Sequence, residues 1–107
     1  MAKIIWQKRA SKVLDERIAY ASAEFGKSTA KRWVMEIVYA ESRIASMPLS
    51  YPTEPLLVRG RRVYRYCHLM NRRFKLIYCY YPSSDTVRIV DIWDTKMNPE
   101  TLRKRIK

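Results

Sequence analysis

Two apolar stripes at helical spacing, separated by a glycine and a few residues, constrain this chain more than any other feature. Ala10, Val13, Leu14, Ile18, Ala21 and Phe25 recur at intervals of three and four, which is one face of a helix. Ala30, Trp33, Val34, Ile37, Val38, Ile44 and Ala45 repeat the pattern, interrupted by Glu41. Gly26 is placed to end the first helix and Ser28 to cap the second. A connection of two or three residues forces the helices antiparallel. Such a hairpin presents one apolar face that must be covered by a second layer.

The remaining sequence supplies that layer. Residues 3–7 are a short apolar run that reads as a strand. Pro48, Pro52 and Pro55 make residues 47–56 an irregular connector. Beyond it, Arg62–Leu69, Phe74–Tyr81 and Thr86–Trp93 are rich in aromatic and β-branched residues. Asn71-Arg72 and Pro82-Ser83-Ser84-Asp85 are turn signals between them, so the three strands are expected as an antiparallel meander. Asn98-Pro99 reads as a cap with proline at the first helical position. A short helix over about 99–106 would bury Leu102 and Ile106, with Arg103, Lys104, Arg105 and Lys107 near the negative end of its dipole. The expected class is α+β in one domain, residues 1–107. The expected order is an N-terminal strand, an αα-hairpin packed on one face of a curved, mainly antiparallel four-stranded sheet, and a short C-terminal helix. The other sheet face is expected to stay open and basic.

Charge narrows the partners. The net charge is +12 over 107 residues, which favours polyanions or acidic proteins. It is lopsided: residues 1–54 hold nine basic and six acidic side chains, and residues 55–107 hold thirteen and four. Between Glu54 and Asp85 lie seven basic residues and no acid. The N-terminus reads as lacking a secretory signal, and no apolar run approaches the roughly 18 residues of a membrane span. The chain is therefore expected to be cytoplasmic and free of membrane. Cys67 and Cys79, placed on neighbouring strands, could face each other but are expected as free thiols in a reducing compartment. One histidine and two cysteines twelve apart do not make a zinc site, and neither a metal nor a cofactor is expected.

The chemistry that remains is basic and aromatic. Arg62, Arg65, His68, Arg72, Arg73, Lys75, Arg88 and Lys96 fall in the strand region, with Tyr64, Tyr66, Tyr78, Tyr80 and Tyr81 between them. That mixture suits RNA or single-stranded nucleic acid, because charge holds phosphates while rings stack bases. Phosphodiester cleavage without a metal needs cations for the developing negative charge, a base and an acid. Arg65 and Lys75, on adjacent strands beside the Asn71-Arg72 turn, are the candidates. Alternation places Arg65 with Cys67, and His68 with Tyr64 and Tyr66. If Arg65 and Lys75 share the open face, His68 points to the helices and is dispensable, and a desolvated Lys75 is the candidate base.

The order of elements resembles the RelE/ParE toxin superfamily over nearly the whole chain. The resemblance is carried by Ala10-x-x-x-Leu14-Asp15-x-x-Ile18-x-Tyr20, by Arg73-Phe74-Lys75-Leu76-Ile77-Tyr78, by Val87-Arg88-Ile89-Val90-Asp91-Ile92-Trp93, and by Trp93-Asp94-Thr95-Lys96-Met97-Asn98-Pro99. It implies the toxin of a type II toxin–antitoxin pair, held inactive by a cognate antitoxin and reaching operator DNA only through that antitoxin. RelE-like members cut mRNA on the ribosome, whereas ParE-like members inhibit DNA gyrase and are not nucleases. The first expectation is a metal-independent, ribosome-dependent endoribonuclease that arrests translation. The alternatives are gyrase inhibition or a non-enzymatic nucleic-acid-binding module. The RelE pattern would make Arg65, Lys75 and Lys96 catalytic; Arg62, Arg72, Arg73, Arg88 and Arg103 are expected to bind nucleic acid. The match is incomplete. Cys67 stands where a second basic residue belongs, the C-terminal tyrosine falls near Thr101 or Leu102, and Asp94 stands near the place of a histidine found in other members.

Overall fold

The computed structural model describes residues 1–58 and 60–106. Strand β1 (Lys3–Trp6) leads into helices α1 (Lys8–Phe25) and α2 (Lys27–Ser46). After a 3-10 turn at Pro55–Leu57 come β2 (Arg65–Leu69), β3 (Phe74–Tyr81), β4 (Thr86–Asp94) and α3 (Pro99–Arg105). The sheet order is β1-β4-β3-β2, with β1 parallel to β4 and the other pairs antiparallel. The expected α+β architecture is therefore observed. The basic end of α3 is also observed; Lys107 lies outside the described residues.

The helix boundaries differ from the sequence reading in detail. Gly26 alone joins α1 to α2, at φ 96°, a conformation open to glycine. It serves as C-cap of one helix and N-cap of the next, so Ser28 lies inside α2 rather than capping it. Of the apolar stripe on α2, Ile37, Ile44 and Ala45 are buried together with Ala30 and Ala40, while Val34 and Val38 are exposed. The alanines Ala10, Ala21 and Ala40, fully buried, let the helices approach closely. Glu41, the apparent interruption, accepts from the Trp6 indole at 3.1 Å. Glu36 accepts from the Met70 backbone N–H at 2.6 Å and so ties α2 to the β2–β3 hairpin. That hairpin turns through Met70, Asn71 and Arg72, all at positive φ.

The second sheet face is not open, contrary to the sequence expectation. Ile77, Cys79, Val90 and Trp93 form a second buried cluster with Leu102 of α3, flanked by Leu56, Leu57 and Ile106. β4 also departs from simple alternation. Tyr78 pairs with Ile89 and Ile77 with Asp91, so Val90 is an extra residue, a β-bulge. Val87 and Ile89 face the helices before the bulge and Ile92 after it. Trp93 is thereby turned toward α3. Cys67 belongs to the helix-side cluster and Cys79 to the other, so the two thiols, both buried and free, do not face each other.

Truncating Ile44, which is fully buried, should leave a cavity between α2 and the sheet. Ile44→Ala is expected to lower unfolding free energy by about 2–5 kcal/mol in urea titrations. Val38→Ala, on the exposed side of α2, should change it by no more than about 0.5 kcal/mol.

Candidate functional site

The strand register decides which basic residues meet. Cross-strand partners share a face, and His68 pairs with Lys75 while Arg65 pairs with Tyr78. Lys75 therefore lies with Tyr66 and His68 on the α3 side of the sheet. Arg65 lies at the helix side with Cys67. The expectation that Arg65 and Lys75 share a face is corrected. So is its corollary, because His68 points with Lys75 and away from the helices.

A loop supplies what the sequence reading missed. Residues 52–54 run along the free edge of β2, with Glu54 N–H donating to Tyr64 O at 2.8 Å and Tyr66 N–H to Pro52 O at 3.1 Å. β2 is shorter than the expected Arg62–Leu69 segment and begins at Arg65, where pairing with β3 starts and where Thr53 of the loop bridges to it. The loop places Glu54 under the sheet edge, where the residue is 1% exposed. Both Glu54 oxygens accept from Lys75 Nζ, at 2.9 and 3.2 Å, and Oε1 also accepts from Leu56 N–H. Lys75 Nζ sits 4.3 Å from the centre of the Tyr66 ring, and Tyr66 meets His68 edge to face at 5.1 Å. Partial burial, then Lys75 and Arg72, push the His68 imidazole below its ordinary pKa, against a smaller pull from Glu54. The signal in the sequence was Glu54 itself, the last acid before a long basic stretch.

The other candidates form separate groups. Arg65 donates to Tyr51 O at 2.7 Å. Arg62 donates to the Tyr81 hydroxyl, and Arg62 and Arg88 both lie against the Tyr81 ring, at 5.4 and 5.8 Å. Arg73 and Arg17 flank Asp94, at 3.3 and 3.8 Å. Burial raises the Asp94 carboxyl, but the Lys96 N–H, Arg73 and Arg17 outweigh it and hold the group below the usual carboxylate range. Thr95 bonds to the carbonyls of Arg72 and Arg73, which brings the segment carrying Lys96 against the β2–β3 turn. Arg103 donates to Leu56 O at 3.1 Å and pairs with Glu100. The three residues expected to be catalytic thus sit in three places: Arg65 on the helix side, Lys75 in the Glu54 pair, and Lys96 at the turn end of the sheet.

The family model for the ParE toxin of the type II toxin–antitoxin system parDE matches residues 4–99. The chain belongs to the ParE toxin family. No curated protein matches it. Among solved structures, this ParE-family toxin is similar to the chromosomal ParDE system of P. aeruginosa, with TM-score 0.70 and 19% identity, covering 90% of this chain and 98% of that one. It is also similar to the intact E. coli RelBE toxin–antitoxin complex, with TM-score 0.60 and 12% identity, covering 91% and 100%. The isolated E. coli RelE toxin matches with TM-score 0.61 and 13% identity, covering all of both chains. At these identities the likeness is one of fold.

Within the ParE-family toxin, the Lys75–Glu54 pair has two measurable consequences. Lys75→Met strands a buried carboxylate and should cost about 3–5 kcal/mol of stability, whereas Lys75→Met with Glu54→Gln should recover most of that loss. The chain holds a single histidine, so its NMR titration is unambiguous. The His68 midpoint should fall below 6.5, and Lys75→Met should raise it by removing a cation and leaving the Glu54 charge uncompensated. With its folded pKa lowered, His68 contributes fully to stability above pH 6.5, and that contribution declines as pH falls through the folded midpoint.

Proposed function

We propose that this ParE-family toxin arrests growth without cutting RNA, by inhibiting DNA gyrase, and that a cognate antitoxin holds it inactive. The observation that carries the reading is the separation of Arg65 from Lys75, together with the closure of Lys75 onto buried Glu54. A nuclease of the RelE kind needs cations free to meet a developing phosphorane. A lysine that already gives two hydrogen bonds to a buried carboxylate does not supply one. The incomplete RelE pattern points the same way, with Cys67 buried where a second cation would stand.

The outer faces of the helical hairpin support the antitoxin partner. Tyr20, Phe25, Val34, Met35, Val38 and Tyr39 are all more than 40% exposed there. An amphipathic antitoxin segment, disordered when alone, would gain most of its binding free energy by covering them. Operator DNA would then be met through the antitoxin. No helix among the described residues is long and apolar enough to cross a membrane, which agrees with action in the cytoplasm on gyrase.

Induction of the toxin followed by mapping of mRNA 5′ ends, beside a supercoiling assay with purified gyrase, tests the proposal. Unchanged mRNA ends with loss of supercoiling are expected, and co-expression of the adjacent antitoxin should restore growth. Cuts phased with codons, abolished by Arg65→Ala while supercoiling stays normal, would overturn it in favour of the ribosome-directed nuclease.

A further inference from the structure

The first turn of α1 contradicts the usual rules for a helix start. Gln7, the N-cap, makes no side-chain bond to the helix, and no acid lies in the first turn. Lys8 and Arg9 stand there instead, where the dipole is already positive. The first amides of a helix have no acceptor within it. The Gln7 N–H is used by Ile89 O, and the first helical bond runs from Ser11 to Gln7, which leaves the amides of Lys8, Arg9 and Ala10 without an acceptor inside the helix. Local rules broken in this way tend to mark function.

Three more cations converge on this turn from other elements. Arg62, Arg88 of β4 and Arg105 of α3 line, with Lys8 and Arg9, a cavity of about 610 Å³. Tyr64, Val90 and Ile106 give it apolar surface, and no carboxylate lines it among the described residues. The Nε of Arg88 is buried and finds no acceptor among the described residues. Arg9 donates to Arg105 O at 2.9 Å, which holds the two chain segments together. Asp91, fully buried, accepts from Arg105 at 2.7 Å through Oδ1, while its Oδ2 has no partner among the described residues. It offsets one of the five charges. Like charges drawn to one volume repel, and an anion with several oxygens would relieve that repulsion while satisfying the free donors.

We propose that this cavity binds the phosphate groups of a free nucleotide. Guanidinium groups match phosphate oxygens in bidentate fashion, and helix-start amides complete the cradle. The volume falls within the range of small-ligand pockets, roughly 300–1,000 Å³. The apolar walls accept a base or ribose. The site lies between the end of β1, the start of α1, Arg62 and Tyr64, β4 and the end of α3, apart from Arg65 and Lys75, so it does not depend on whether gyrase or the ribosome is the target.

Calorimetry at constant ionic strength with inorganic pyrophosphate and with ATP tests the site. Both are expected to bind, and the amide signals of Lys8, Arg9 and Ala10 should shift in NMR spectra of the complex. Arg88→Gln and the solvent-exposed Arg9→Gln should each weaken binding by about tenfold or more, the loss of one charge-assisted hydrogen bond. Arg32→Gln, the same charge change on exposed α2, should leave binding unchanged. If Arg32→Gln weakens binding as much as Arg9→Gln does, or if the three amides do not move, the proposal is wrong. It is equally wrong if a single-stranded oligonucleotide binds the protein while pyrophosphate and ATP do not.

Discussion

The burial of β4 on both faces organises this protein. Its strand partners are β1 and β3, α1 and α2 cover one side, and α3 covers the other. Every residue of the strand except Arg88 is buried, yet it carries Asp91 and Asp94. Carboxylates removed from water must be met by cations or donors. Asp91 is met by Arg105 and thereby fixes the end of α3. Asp94 is met by Arg73, Arg17 and the Lys96 amide, and thereby joins the β2–β3 turn, α1 and the segment leading to α3. Burial of Asp91 still holds its carboxyl above the usual range despite Arg105, which shows how far desolvation dominates there.

The same logic extends to Glu54 and Lys75. In a chain with more than twice as many basic as acidic residues, three of the acids are used as buried anchors. Each engages a cation that a reading by charge alone would assign to nucleic acid. Arg73, Lys75 and Arg105 are structural partners first. Among the described residues, Lys8, Arg9, Arg62 and Arg88, none of them paired with a carboxylate, line one cavity at the start of α1. A large positive charge therefore does not by itself identify the surface that meets an anion.

The fold is shared by toxins of different kinds, since ParDE and RelBE structures both superpose on it. A scaffold common to both cannot distinguish their activities, which depend on particular side chains. Here those side chains are set by strand register. A change of one residue in register would exchange the faces of Arg65 and His68 and alter the chemistry without altering the fold.

Local signals in the sequence determined the elements. Period 3.6 gave α1 and α2, Gly26 gave their junction, the turn residues gave the meander, and Asn98-Pro99 gave the start of α3. Each rests on the conformational preference of a few consecutive residues. Family membership was legible for the same reason, because it resides in the order of those elements. The site was legible only as a set of residue types. The Val90 bulge, the cover that α3 places on the second face, and the approach of Glu54 to Lys75 across 21 positions are not encoded locally. Side chains on a strand alternate whatever lies above and below them. Which residues share a face is decided by the register between β2 and β3, and that register is where tertiary structure separated Arg65 from Lys75.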